Sequence, residues 1–546
     1  GDGLRERLLD VDVLARLAGE QSHVGVPVVR RGNDDGVDVF VGEHAPELLF
    51  GGGCAALRLL ELRTILSNDL VIDIAEGLDD GARGDGASGY EAALVGRQLG
   101  GNVTLIERRG LGGSAVLTDV VPSETLIAAA EVMTKIRRAE ELGLELRDGD
   151  RRLTDAVSVD LGTVHRRIRA LAQAQSDDIR DRLLAEGVRI INGTGRLGST
   201  SQVIATTELG EETLPADIIL VATGAHPREL DSARPDGERI FTWTQIYDLE
   251  TLPERLIVVG SGVTGAEFAS AYQALGVKVT LVSSRDKVLP GQDDDAASVI
   301  QEVFENSGMS VLNNVRAVAA VRRGDDVVVT LADGTEVVGT HCLMAVGAIP
   351  NTTDLGLEAA GVTMKAGGYI GVDRVSRTSA RGVYAAGDCT GVFALASVAA
   401  MQGRIAMWHS LGDSVAPLDL KTVSSNVFTA PEIATVGVGQ ADVESGKVRA
   451  LVMRLPLRSN PRAKMQALSD GFVKVICLPT TGIVIGGVVV APSASELIHP
   501  LSIAVRHKLT VDQLAEAFTV YPSLSGSLAE AARRLHGHSS EQVITY

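Results

Sequence analysis

Leu256-Ile257-Val258-Val259-Gly260-Ser261-Gly262-Val263-Thr264-Gly265-Ala266-Glu267 runs on through a helix-compatible stretch into Val277-Lys278-Val279-Thr280-Leu281-Val282. The opening apolar residues suit a strand buried on both faces of a parallel sheet. Gly260 suits the tight turn, Gly262 admits a pyrophosphate close to the backbone, and Gly265 lets the helix pack closely on the strand. The helix start then offers free N–H groups and the positive end of a dipole to an anion. G-x-G-x-x-G alone is a weak signal. Flanked in order by strand, helix and second strand, it predicts a dinucleotide site.

A second copy of this unit lies upstream. Gly84-Asp85-Gly86-Ala87-Ser88-Gly89 precedes a helical stretch and the run Val103-Thr104-Leu105-Ile106-Glu107. Glu107 stands about twenty residues on, where a carboxylate accepts hydrogen bonds from ribose hydroxyls. The residues leading into Gly84 (Gly77-Leu78-Asp79-Asp80-Gly81-Ala82-Arg83) are polar and glycine-rich, a poor central strand. Leu70-Val71-Ile72-Asp73-Ile74 is a better strand but lies several residues too early for the motif. The first strand of this unit is therefore expected to be damaged or rerouted. Residues 1–83, with helix-compatible runs at 4–18 and 47–64, are expected to form an extension of uncertain structure.

The remaining chain alternates short β-branched runs with longer amphipathic ones, the pattern of βαβ units. A length of 546 residues suggests three to four domains at about 150 residues each. Aromatics are only 3% of the chain, so aliphatic residues must build the cores. The net charge of -19 repels phosphate backbones and argues against nucleic-acid binding. No apolar run approaches the roughly 18 residues of a membrane span; the richest, residues 482–492, is broken by Gly486 and Gly487. Cys54, Cys342, Cys389 and Cys477 show neither C-x-x-C nor metal-ligand spacing, and no metal site is expected. The start carries interspersed charges without a signal-peptide pattern, and a cytoplasmic location is expected.

Beyond the two units, four segments carry a family resemblance. These are Val221-Ala222-Thr223-Gly224-Ala225, Met344-Ala345-Val346-Gly347-Ala348-Ile349-Pro350-Asn351, Val383-Tyr384-Ala385-Ala386-Gly387-Asp388 and Val427-Phe428-Thr429-Ala430-Pro431-Glu432-Ile433-Ala434. In this order and spacing the chain resembles the flavoprotein disulfide reductases, the family of dihydrolipoamide dehydrogenase and glutathione reductase. Residues 110–122, 395–407 and 521–535 resemble the lipoamide-dehydrogenase-like NAD(P)H quinone reductases in particular. The resemblance implies an α/β fold with two Rossmann-like domains, for FAD and NAD(P), plus a C-terminal α+β dimerisation domain. The implied FAD domain covers residues 84–250 and 347–420, split by an NAD(P) domain at 251–346. The implied homodimer forms through residues 421–546.

The resemblance also implies site residues. FAD would be held by Gly84, Gly86, Gly89, Glu107 and Gly113, with Thr223, Gly224, Asp388 and Ala396. NAD(P)H would be held by Gly260, Gly262, Gly265 and Glu267, with Ser283, Arg285 and Gly347. Ser283 stands where NAD-specific relatives carry an acid. It and Ser284 are expected to donate hydrogen bonds to a 2′-phosphate, with Arg285 approaching as a cation.

The chain departs from the family at the reaction centre. Ala115 and Val120 occupy the positions of the two redox cysteines, and neither can form a disulfide. Tyr521-Pro522-Ser523-Leu524-Ser525-Gly526 replaces the segment that supplies a histidine base and its glutamate. Glu124 stands where the family has a lysine paired with the acid matching Glu267, so two carboxylates are expected to confront each other. Glu267 and Tyr521 are the remaining catalytic candidates. The expected activity passes hydride from NAD(P)H to FAD, and electrons then go directly to a quinone-like acceptor. A catalytically impaired dimeric scaffold and a dihydrolipoamide dehydrogenase by family alone are the other readings.

Overall fold

The computed structural model describes residues 29–31, 37–39, 69–73, 86–145, 156–536 and 544–545. The helix-compatible runs at 4–18 and 47–64, together with Cys54 and Gly84, lie outside the described residues. The chain divides into two units, residues 1–67 and 68–546. In the first, Val29–Arg31 and Val37–Val39 pair antiparallel.

The larger unit holds two five-stranded parallel sheets. One runs in the order Val383–Ala385, Ile218–Val221, Asp69–Asp73, Asn102–Glu107, Arg189–Asn192. The other runs Ile240–Thr242, His341–Met344, Arg255–Val259, Lys278–Val282, Ser310–Leu312. Residues 256–282 and 102–107 thus fall in separate sheets, as two Rossmann-like domains require. Ile218–Val221 is apolar and fully buried, the composition of an interior parallel strand.

The first sheet corrects one expectation. Asp69–Asp73 is its central strand, with Leu70 opposite Val103 on one side and Ile218 on the other. Leu70 and Val71 are buried. The strand ends well before the glycine motif. Pairing on both edges, rather than adjacency to the motif, is what places it. The sheet therefore begins within the stretch assigned to an N-terminal extension ending at residue 83.

The chain crosses between the sheets twice, and the crossings pair with each other. Ala225–Pro227 lies antiparallel to Ala348–Pro350. Beside this ribbon the Thr223 hydroxyl donates to the Asn351 carbonyl at 2.5 Å, and the Asn351 amide donates to the Thr223 carbonyl at 2.8 Å. Helix Gly86–Gln98 packs on helix Ala396–Ser410 at backbone distance: a β-carbon at Gly403 would fall 2.2 Å from the Ser88 carbonyl oxygen.

The C-terminal part is a six-stranded sheet in the order Ser424–Val427, Glu432–Gly437, Val484–Ala491, Phe472–Cys477, Leu451–Pro456, Ile544–Thr545. All neighbours are antiparallel except the last pair. Among the described residues no helix is long and apolar enough to cross a membrane.

A buried charge cluster ties this sheet to the second parallel sheet's domain. The Lys474 ammonium donates to both Asp293 carboxylate oxygens, at 2.9 and 2.7 Å, to Asp295 at 2.8 Å, and to the Gln440 amide oxygen. Asp293 also caps helix Asp294–Asn306, accepting from the Ala296 amide. The Lys474 and Asp293 side chains are only 1% and 3% exposed. Removing one partner of such a pair strands the other's charge out of water. Lys474→Met is expected to cost about 3–5 kcal/mol of stability, read as a lower urea midpoint with unchanged slope. A loss below about 1 kcal/mol, the range of an exposed pair, would show the cluster to be effectively solvated.

Candidate active site

Glu107 ends its strand with the carboxyl buried. One oxygen accepts from the Arg109 amide at 2.8 Å; among the described residues the other has no hydrogen-bond partner. Burial pushes its pKa up to about 7, against the pull of nearby backbone amides. A cavity of about 90 Å³ beside it is lined by Arg108, Arg109, Gly110, Arg180 and Asn192 among others. An unsatisfied buried acceptor is costly, and ribose hydroxyls are donors that would satisfy it. Gly86 opens helix Gly86–Gln98, and Gly89 lies within its first turn rather than in a preceding loop. A β-carbon at Gly86 would fall 2.0 Å from the Gly112 carbonyl carbon, so the helix start is pressed against the turn that leads into Gly113. These residues fit one end of an FAD.

Asp388 begins the turn Asp388–Thr390, directly after strand Val383–Ala385 and Gly387. Gln402, buried on helix Ala396–Ser410, accepts from the Gly387 amide at 2.9 Å and holds the turn. Gln402 lies within residues 395–407, and nothing in the sequence marks it. A buried amide on a helix gives no motif of its own. Ala396 is the first residue of the same helix. Thr223 and Gly224 serve the crossing described above, and the Gly224 carbonyl accepts from the Asn351 amide.

In the second unit Gly265 packs at the closest range. A β-carbon there would fall 1.8 Å from the Gly260 carbonyl oxygen. Beside Gly262 and Gly347 nothing lies within 4 Å of such a carbon. The loop is thus tight toward the sheet and open outward, the shape a pyrophosphate needs.

Ser283 behaves differently from the expectation. It is fully buried, and its hydroxyl meets Ser261 at 2.7 Å and accepts from the Arg285 amide at 3.1 Å. It pins the loop and presents no donor to a 2′-phosphate. A β-branch-free hydroxyl next to another serine satisfies itself locally, and that is what the sequence position alone concealed. Ser284 and Arg285 are exposed. Lys287 is engaged, 3.0 Å from Asp294.

The positions of the missing dithiol lie where helices meet. Ala115 packs with Ala87 and Ala399, and Val120 starts helix Val120–Ala139. Cys342, Cys389 and Cys477 are buried. Burial pushes the Cys342 and Cys477 thiols up to about 12 and about 11, away from thiolate chemistry. Tyr521 is 82% exposed on this protomer, beside exposed Phe518 and Val520.

Glu267 lies on helix Val263–Ala274, buried, accepting from the Phe428 amide at 2.8 Å. Desolvation pushes it up to about 8. Glu124, on helix Val120–Ala139, is pushed up to about 9 by desolvation first and then by the charges of Glu267, Glu432, Asp119 and Glu131. Among the described residues the charges that bear on Glu124 are negative.

Residues 84–403 match the pyridine nucleotide-disulphide oxidoreductase family, and residues 423–532 match its dimerisation domain. A curated NAD(P)H dehydrogenase (quinone) of Mycobacterium tuberculosis is 53% identical over 465 residues, 83% of this chain and 93% of that protein. A dihydrolipoyl dehydrogenase of Chlamydia pneumoniae is 32% identical over 83% of this chain and 96% of its own length. The crystal structure of LpdA from Mycobacterium tuberculosis superposes with a TM-score of 0.80 at 51% identity, covering 86% of this chain and 100% of that one. On this evidence the chain belongs to the pyridine nucleotide-disulphide oxidoreductases, as an NAD(P)H-dependent flavoprotein enzyme with FAD and NAD(P)H as its cofactors.

Proposed function

We propose that this enzyme passes electrons from NAD(P)H through FAD directly to a quinone-like acceptor, with no redox disulfide. The observation that carries the proposal is Ala115, an apolar residue packed among alanines where a family dithiol would stand. The three described cysteines, all buried, offer no substitute. The Mycobacterium tuberculosis relative is named for quinone reduction, which supports the same reading.

FAD, when bound, accepts the hydride and yields two electrons. The protein's part is to bind and orient. Glu107 would take ribose hydroxyls with its second carboxylate oxygen, and the Gly86 helix start would hold the pyrophosphate. Asp388, held by Gln402 through Gly387, would take the ribityl chain. Gly260, Gly262 and Gly265 seat the nicotinamide nucleotide, and Arg285 meets a 2′-phosphate as the exposed cation of its loop. Residues 421–546 form the interface of a homodimer. Tyr521, Phe518 and Val520 are then covered by the second protomer.

The test is spectroscopic. The purified protein should be yellow, bleach with NADPH in the absence of oxygen, and recover its colour on adding a small quinone. Turnover of lipoamide would overturn the disulfide-free reading.

Two variants examine the nucleotide site. Gly262→Val meets no protein atom within 4 Å of the new β-carbon, so it should fold normally while raising the KM for both nucleotides at least tenfold. An unchanged KM would remove the loop from the site. Arg285→Ala should raise the KM for NADPH about tenfold, or about 1.4 kcal/mol, and leave NADH unaffected. A wild-type preference for NADH of tenfold or more in kcat/KM would sink the assignment of Arg285.

A further inference from the structure

The glycine loop of the second unit is bonded on its inner side to one later segment. Ser261, between Gly260 and Gly262, is only 5% exposed. Its hydroxyl meets the Ser283 hydroxyl at 2.7 Å, and its carbonyl accepts from the Leu289 amide at 2.8 Å. The Gly260 amide donates to the Val282 carbonyl at 3.0 Å. All these partners lie within residues 282–289, which continue from strand Lys278–Val282. The shape that the loop presents outward therefore depends on where residues 282–289 are held.

Leu289 is held under strain. Its φ is 52°, in the left-handed region that leucine rarely adopts, and it is buried. Backbone in such a conformation persists only where its surroundings over-determine it. Two features do so here. Pro290 and Gly291 take the central places of a turn closed by the Gln292 amide, which donates to the Leu289 carbonyl at 3.1 Å; Gly291 supplies the positive φ, 95°, that such a turn needs. Leu289 also belongs to an apolar core that includes Phe472, Val488 and Val490 of the C-terminal sheet.

The turn runs into Asp293, and there the segment is anchored. The buried Lys474, on strand Phe472–Cys477, donates to both Asp293 carboxylate oxygens and to Asp295. Lys287, between the serines and the turn, pairs with Asp294 at the same helix start. Residues 283–293 are thus fixed at one end to the glycine loop and at the other to the C-terminal sheet.

We propose that Lys474 is a positioning residue for the nicotinamide nucleotide: through Asp293 and Leu289 it holds Ser261, and with it the loop at 260–265, in the shape that binds. Attachment of the C-terminal sheet is then a requirement for tight nucleotide binding. This role rests on the reading above that the loop seats NAD(P)H. Its physical cause is preorganisation. With the ammonium removed, residues 283–293 reach arrangements in which Ser261 is released. Only the remaining fraction of molecules is competent, and the apparent Kd rises by the inverse of that fraction. Lys474 and Ser283 are both buried and bonded within the protein, so their loss affects NAD+ and NADP+ alike. A side chain that contacts the 2′-phosphate would change NADP+ alone.

The experiment is calorimetric titration of the FAD-loaded protein with NAD+ and with NADP+. The variants are Lys474→Met, Lys474→Met combined with Asp293→Asn, Ser283→Ala and Gly262→Val. Lys474→Met strands the Asp293 charge and is destabilised for that reason. Adding Asp293→Asn removes the stranded charge and keeps a helix-capping side chain. The urea midpoint should then recover in part while the tether stays broken. The double variant and Ser283→Ala should each bind both nucleotides about fivefold more weakly, within the range for coupling through packed elements, with flavin content unchanged. Amide hydrogen exchange across residues 283–293 should quicken in the double variant. Wild-type dissociation constants or wild-type exchange in the double variant would overturn the role of Lys474. A loss confined to NADP+ would overturn positioning in favour of a direct phosphate contact. Gly262→Val separates this role from the reading beneath it. If it weakens binding and the double variant does not, the loop remains the site and only the tether falls. If Gly262→Val itself binds both nucleotides as wild type does, the loop is not the site, and the role of Lys474 falls with it.

Discussion

The architecture depends on one short ribbon. Ala225–Pro227 and Ala348–Pro350 pair where the chain leaves one parallel sheet and returns to it. Thr223 and Asn351 exchange hydrogen bonds beside it in a fully buried setting. Such bonds stabilise by about 1 kcal/mol each, but leaving a buried partner unmade costs more. Because the ribbon closes, strand Val383–Ala385 can join the edge of a sheet whose other strands precede it by more than a hundred residues. The turn carrying Asp388 is delivered with that strand.

Two kinds of buried charge serve different ends in this framework. Lys474 is neutralised on the spot by Asp293 and Asp295, and the result is rigid attachment of the C-terminal sheet. Glu124 and Glu267 are instead raised by burial, to about 9 and about 8, so each favours its protonated form. The same low-dielectric surroundings that strengthen the first arrangement make full ionisation of the second unfavourable. A family that ordinarily spends this region on thiol chemistry here has an alanine-lined contact and an acid pair.

Much of this was legible in the residues. The strand at 256–259, its glycine loop and the following helix form as the pattern requires, because each glycine answers a local steric demand. Glu107 could be placed by spacing alone, and the loss of both cysteines by position.

What the chain alone did not disclose depends on contacts between distant segments. Asp69–Asp73 looks like an isolated run far from its glycine motif; only pairing with Asn102–Glu107 and Ile218–Val221 makes it central. Ser283 reads as a phosphate donor until Ser261 is found 2.7 Å away. Gln402 carries no motif, and its importance comes from the turn it holds. Local sterics and periodicity are written in neighbouring residues, and the sequence by itself determined the strand–loop–helix units and their order. Burial and the identity of a polar group's partner are properties of the folded whole, so the tertiary structure alone decided which hydroxyls, amides and carboxyls remain available for chemistry.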